Sequence, residues 1–316
     1  MFHRIAKKGY GMRIEKNRRN EVSSEYLETL ITYFLENDYD VVSLNEVHEI
    51  LTNKKRRKRF VSFTFDDGHV DAYTIAYPIF KKFDLPFTIY IATNFPDKKA
   101  VLWGYLLEDL VLKNETIRFA HYGRHYSFVA SSKTQKEAAF HSIRSLIIKH
   151  SENNLALLLK DIFEPYGTNI YEYSDKLVLD WNQLAIMSED PSVTIGAHTV
   201  NHYALSRLDI EQVEYEIYRS REIIESHIGK KVEHFSYPFG SRGEAGKREF
   251  EMVKNAGFKT ATTTRIGNIF PEHKDHLECL PRIPISGNRE DVFSLESFLS
   301  GYIPALSHTF RRVVTD

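Results

Sequence analysis

Three short stretches hold residues whose types and spacing could do chemistry. Asp66 and Asp67 stand side by side in "VSFTFDDG", His198 and His202 lie four apart in "AHTVNH", and "SYPFG" spans residues 236–240. Two adjacent carboxylates repel, and keeping both ionised at the edge of an apolar run needs a cation or strong hydrogen bonds. A divalent ion removes the conflict. Histidines four apart on a helical turn point to one side, a common arrangement for two metal ligands. With one aspartate they make a His, His, Asp set whose open positions take water and a substrate oxygen, and the other aspartate is left as a base. Such a centre lowers the pKa of water towards ~7 and polarises a carbonyl, which suits hydrolysis of an amide or ester. An Asp-Asp-Gly turn alone is ordinary turn chemistry, and so is a lone pair of histidines. What singles these out is that both follow apolar strands in one α/β chain, where ligands collect at the carboxyl ends of strands.

The elements that must position them are legible as alternating periods. "SSEYLETLITYFLEND" has helical spacing, with Ser23 or Ser24 as cap. "YDVVSL" reads as a strand, "NEVHEIL" as a helix, "VSFTF" as a buried strand, "AYTIAYPIFKKFD" as a helix and "LPFTIYIAT" as a strand. Strand, helix, strand is a parallel crossover. The alternation lapses over about residues 96–178, read as a mostly helical insertion containing a hairpin at "TIRFAHYGRHYSFVA". It resumes with "WNQLAIMSED", "VTIGAH", "IEQVEYEIYRSREIIESHIG", "EHFSYPFG", "KREFEMVKNAGF", "KTATTT" and "LPRIPIS", and the tail "VFSLESFLSGYIPALS" reads as one last helix. No glycine-rich phosphate fingerprint follows the first strand, so a parallel α/β barrel is expected rather than an open doubly wound sheet.

The totals agree with one catalytic domain spanning 1–316. Of 316 residues, 42% are hydrophobic and 13% aromatic, too rich in large side chains for a disordered chain. Net charge is −1, which argues against nucleic acid as partner. The single cysteine, Cys279, excludes an internal disulfide framework and reads as a small buried apolar residue. The first residues lack an apolar leader and no apolar run nears the ~20 residues of a membrane span, so a cytoplasmic protein is expected. The run "KKRRKR", Lys54 to Arg59, is a solvated loop or a peripheral contact with anionic lipid.

Taken together, these stretches resemble the polysaccharide deacetylases, carbohydrate esterase family 4, with the nodulation-deacetylase homology domain. "TFDDG" at 64–68 is similar to the first family motif, "HTVNH" at 198–202 to the second and "SYPFG" at 236–240 to a variant of the third. The flanks "FHRI", "YDVVSLNEV", "LPFTIYIATNF" and "AGFKTATTT" extend the likeness to the whole chain outside the insertion. The resemblance implies a distorted (β/α)7 barrel and removal of an N-acyl group, in the first place N-acetyl, from an amino sugar of a glycan or a lipid- or nucleotide-linked precursor. It implies that Asp66 is the general base acting on a metal-activated water, and that Asp67, His198 and His202 hold one divalent ion, usually zinc. The turn of Tyr237, Pro238, Phe239 and Gly240 would meet the developing oxyanion, through the amide of Phe239 above all.

Two departures follow. The third motif lacks the arginine that orients the base, and Arg282 in "LPRIPI" is expected to take over that task, as in the "YPFG" branch of the family. The histidine acid of the fifth motif has a literal match in "LSH" at 306–308, but in the tail helix, which makes it a coincidence. The acid is left open among His69, His234 and His276. Asp71 steadies the first loop or caps the next helix. Trp103, Trp181, Tyr105, Tyr122 and Tyr126 are sugar-stacking candidates or core. The competing reading is a non-catalytic carbohydrate-binding protein on the same barrel.

Overall fold

The computed structural model describes residues 1–7, 12–53, 58–149, 152–308 and 311–315. Its central sheet has six parallel strands in the order Leu280–Arg282, Thr260–Ile266, His234–Ser236, Val193–Ala197, Phe87–Ile91 and Thr64–Phe65. Each strand pairs with the next in the chain and the order never reverses, so the sheet curls one way instead of winding doubly. The first residues of the chain fill the seventh place. Phe2 N–H donates to Thr64 O (2.8 Å) and Phe2 O accepts from Asp66 N–H (3.0 Å). On its other side Met1 donates to Ile283 O (2.9 Å) and accepts from Ile285 N–H (3.0 Å). The outer edges of the sheet are thus joined, giving the distorted seven-fold barrel.

These strands form where they do because both faces are covered, and such strands read as continuous apolar runs. Phe87, Ile89 and Ile91 on one, and Ile195 and Ala197 on the next, are buried. Behind the strand that leads to Asp66, the rings of Phe2, Phe34, Phe63, Phe65, Phe80 and Phe87 interlock at centroid separations of 4.7–5.9 Å. Burying each such ring contributes about 1.5–3 kcal/mol, so the backbone that launches the two aspartates is firmly anchored. The opposite pole of the barrel is plugged by the helix Leu44–Thr52, whose Ser43–Glu46 capping box fixes its start and whose Leu44, Val47 and Leu51 pack with Tyr90 and Leu280.

Two expectations about elements are corrected. "VSFTF" is not one strand: Phe60–Val61 pairs with Asp40–Val41 outside the central sheet, and only Thr64–Phe65 joins it. The tail is not one helix. It breaks into Val292–Leu299 and Tyr302–Ser307 because Gly301 takes φ +80, a left-handed turn that ends the first helix.

Residues 103–177 carry a helix Trp103–Lys113, a hairpin of Thr116–His121 with Arg124–Val129, and helices Lys133–Lys149, Glu152–Phe163 and Glu172–Leu177. Tyr122 and Gly123 at φ +47 and +74 supply the two left-handed residues that a tight hairpin turn needs. This region has its own core, with Leu107, Ile117, Phe140, Ile143, Ile162 and Phe163 fully buried. Charge ties it to the barrel. Buried Glu108 accepts from Arg13 Nη2 (2.8 Å) and Ile14 N–H (2.7 Å), Arg13 also pairs with Glu21, and Arg4 joins Glu21 (3.2 Å) to Asp71 (2.7 Å). Asp71 accepts from Ile5 N–H (3.0 Å) as well, and makes no capping bond to the following helix. Of the basic run, Lys54 to Arg57 lie outside the described residues. Lys58 pairs with Asp38 (2.6 Å), and Arg59 donates to Asn37 O (2.9 Å) beside the ring of Tyr39. No helix among the described residues is long and apolar enough to cross a membrane.

Candidate active site

Asp66 and Asp67 are neighbours with different partners. Asp66, 2% exposed, faces Arg282 from the last strand, which grips it with two hydrogen bonds of 2.7 Å and also reaches Thr64 Oγ1 (3.2 Å), Ser236 Oγ (3.0 Å) and Thr263 O (2.8 Å). Burial pushes the Asp66 carboxyl up, but the paired guanidinium outweighs it and holds the group below its ordinary range. Asp67 takes φ +76 and Gly68 φ +93, and this double left-handed turn lets the second carboxylate diverge from the first. Its Oδ1 lies 3.5 Å from His198 Nε2 and 3.2 Å from His202 Nε2, and its Oδ2 lies 3.4 Å from His69 Nε2. Burial opposes ionisation here too, but hydrogen bonds from the three imidazoles hold Asp67 well below the ordinary carboxylate value.

The two imidazoles converge without a helical turn, which corrects the reason given for their spacing. Residues 198–204 form a loop in which Thr199 (φ +69) and His202 (φ +59) are both left-handed. The loop is held by Glu216, buried on the next helical segment, whose carboxylate accepts from Val200 N–H (2.7 Å), Asn201 N–H (2.9 Å) and Asn201 Nδ2 (2.5 Å). Thr199 Oγ1 accepts from His202 N–H (3.0 Å). His198 Nδ1 lies 2.7 Å from Ser236 O; a carbonyl there requires the proton on Nδ1, which leaves Nε2, on the side of Asp67, as the nitrogen able to ligate a metal. The ring centroids of His198 and His202 are 4.9 Å apart.

One oxygen of Asp67 and one nitrogen from each of His198 and His202 lie within 4.8 Å of one another. Two imidazoles and a carboxylate, with a carbonyl fixing one tautomer, are a donor set that fits a divalent ion of zinc's chemistry.

The "YPFG" turn divides. Tyr237 turns away from the site: it is fully buried and its hydroxyl donates to Glu278 O (2.8 Å), as strand alternation demands once Ser236 faces inward. Pro238 O accepts from Gly240 N–H (2.7 Å), Phe239 O accepts from Thr264 Oγ1, and the Phe239 N–H has no acceptor among the described residues. Phe239 takes φ +60, and its ring, 55% exposed, lies 5.0 Å from that of His202. A Cβ on Gly240 would stand 2.7 Å from Thr264 N, so only glycine fits that approach.

Of the candidate acids, only His69 is at the site, with Phe95 and Tyr105 against its ring at 6.1 and 5.9 Å. His234 begins its strand, at the far pole, bonded to Thr260 Oγ1 (2.8 Å); burial lowers its pKa to about 3. His276 lies in the turn entering the last strand, grouped with Glu278 and Cys279, again at the far pole. His308 is buried with Nδ1 3.1 Å from Arg242 Nη2. Trp181 donates to Asp97 (2.8 Å) and stacks on His227, Tyr126 stacks on Phe119, Trp103 packs against the core of the insertion, and Tyr122 tips the hairpin. Tyr105 is the aromatic that reaches the site, beneath Arg4 at 5.1 Å.

One site residue went unread in the sequence. Burial lowers the pKa of His3, while Asp67 and Asp66 pull it up, which puts this imidazole among the acidic pair, Arg282 and His69. The signal was "FHRI" itself: once Phe2 is a barrel strand, the next residue stands at its carboxyl end.

Residues 53–261 match the polysaccharide deacetylase family, about two thirds of the chain, and the chain belongs to that family. Over 92 residues it is 32% identical to YxkH of Bacillus subtilis (strain 168), a match covering 29% of this chain and 30% of that protein. Its fold is similar to that of the Streptococcus pyogenes deacetylase PplD in complex with acetate, with TM-score 0.60 and 18% identity over 94% of this chain and 96% of the other. IcaB from Ammonifex degensii gives TM-score 0.56 and 15% identity over 96% and 94%. A de-N-acetylase from Aggregatibacter actinomycetemcomitans gives 0.55 and 15% over 94% and 97%.

Proposed function

We propose that the chain is a metal-dependent hydrolase that removes an N-acetyl group from an amino sugar of a glycan or glycan precursor. The observation that carries this reading is the division of labour between two adjacent carboxylates: Arg282 takes Asp66, and His198 and His202 take Asp67. Asp67, His198 and His202 would hold one divalent ion, most simply zinc, which supplies Lewis acidity, making a water more nucleophilic and polarising the amide carbonyl. Asp66 accepts the proton of the attacking water; Arg282 keeps it ionised and fixes its direction, which is what a positioned base needs. The N–H of Phe239, without an acceptor among the described residues, donates to the carbonyl oxygen as charge develops there. Phe239 and Tyr105 bound the site as aromatic walls against which a sugar ring can lie. His69 and His3 are the imidazoles within reach of the leaving amine.

Metal content and acetate release from an N-acetylglucosamine oligomer test this. The parent should bind one divalent ion per chain and release acetate. Asp66→Asn should keep the ion and lose about 10²–10⁴ in rate, and His198→Ala with His202→Ala should lose both. A parent chain that binds the ion and releases acid from no acylated sugar would make it a carbohydrate-binding protein instead.

A further inference from the structure

Among the described residues, the outer edges of the barrel are bridged by Met1 and Phe2. Below those hydrogen bonds Phe60–Val61 turns to Asp40–Val41 and leaves the outer edge of the last strand without a partner strand among the described residues, and a cavity of about 500 Å³ opens along the seam. That volume is in the ~300–1,000 Å³ range of sites that enclose small organic ligands. Its walls are apolar: Leu30, Phe34, Phe63, Ile283, Leu295 and Leu299 come from both the barrel and the helices outside it. The charged residues on its lining are Lys58, Arg59 and Arg282, with no carboxylate among them. Arg282 is consumed by Asp66 at the inner end; Lys58 stands at the surface in an exposed pair with Asp38 (2.6 Å), a contact of the kind that contributes little in water, and Arg59, beside the ring of Tyr39, spends one of its N–H donors on Asn37. The Ser62 hydroxyl, also on the lining, is buried without a hydrogen-bond partner among the described residues.

We infer that this cavity binds one anionic amphiphile, its hydrocarbon chain filling the seam and its phosphate or carboxylate lying against Lys58 and Arg59. A largely apolar chamber whose charged lining residues are all basic excludes water from the chain and favours an anion over a neutral head of the same length. Because Arg282 forms the inner wall, the occupant also packs behind the residue that holds Asp66.

Calorimetric titration of the full chain below micelle concentrations tests this with dodecyl phosphate, dodecyl maltoside and inorganic phosphate. Dodecyl phosphate should bind saturably at one per chain, dodecyl maltoside at least about tenfold more weakly, and inorganic phosphate not measurably. Lys58→Gln with Arg59→Gln should bring dodecyl phosphate down to the maltoside affinity. Leu299→Trp and Ile285→Trp, which fill the chamber from two walls, should each abolish binding while keeping the parent's circular dichroism. Absence of saturable binding, equal affinity for the two dodecyl compounds, or full binding by both folded tryptophan variants would overturn the proposal. Binding is read without turnover, so its failure is separate from any failure of the deacetylase reading.

Discussion

Adjacent acids at the mouth of a core are stable here because each has a separate cationic or imidazole partner, and the partner decides the role. Arg282 contacts Asp66 in the two-pronged geometry that only a guanidinium offers. Arg282→Lys keeps the charge but supplies a single point donor, so Asp66 should lose its fixed direction. Turnover should fall by one to two orders of magnitude with the metal content unchanged, read from kcat and atomic absorption on the same sample. Arg282→Met leaves an unpaired buried carboxylate and should cost about 3–5 kcal/mol in thermal unfolding as well. A lysine variant with undiminished kcat would show that the pair serves stability alone. Ser236 is the silent member of this arrangement. Its carbonyl sets the tautomer of His198 and its hydroxyl meets Arg282, so one residue on a strand end orients both halves of the site.

The same division appears among the elements. Strand order was legible in the sequence because doubly covered parallel strands are unbroken apolar runs, as at Phe87–Ile91 and Val193–Ala197, and because each run ends in the polar residues now found at one pole. Alternation from inward Ser236 would also have turned Tyr237 away from the site. The path of residues 198–202 was not legible. A spacing of four suits a helix, but the chain instead uses left-handed Thr199 and His202, and no glycine announces either turn. What stabilises that path is distant in sequence: Glu216 satisfies two backbone amides of the loop. Glu216→Ala should orphan both and loosen the loop, weakening metal affinity about 10–100-fold in a chelator competition, as loss of a supporting shell does elsewhere. Glu214→Ala, an exposed neighbour, should change nothing. Equal affinity in both variants would mean that the loop holds its shape without the carboxylate. Strand packing allows a second test at Gly196, where a Cβ would come 2.5 Å from Tyr90 Cδ1 and 3.0 Å from His234 O. Gly196→Ala should therefore lower the thermal midpoint by an overpacking cost of about 1–3 kcal/mol, and an unshifted midpoint would show that Tyr90 can yield.

For the whole molecule, the two poles of the barrel respond to different ranges of acid. At the pole away from the site, burial, helped by the charge of Lys259 and by His48, lowers the pKa of His234 to about 3, so the folded chain keeps it neutral while the unfolded chain protonates near 6.5. The unfolded state then binds the extra proton, and stability falls as pH drops from about 6.5 towards 3. His3, His273 and His308 are shifted in the same direction and add to the slope. Asp66 and Asp67 act later. Their folded values lie below the ordinary carboxylate value of 3.8, so the stability they contribute is intact above it and is lost only as pH falls further. Thermal midpoints should therefore decline between pH 6.5 and 4 and drop again below 4. His234→Gln retains a side chain able to bond Thr260 but cannot titrate, so it should lessen the slope of the middle segment and leave the drop below 4 in place. An unchanged slope between 6.5 and 4 would place the acid sensitivity in the other shifted histidines, His3, His273 and His308, and remove His234 from the account.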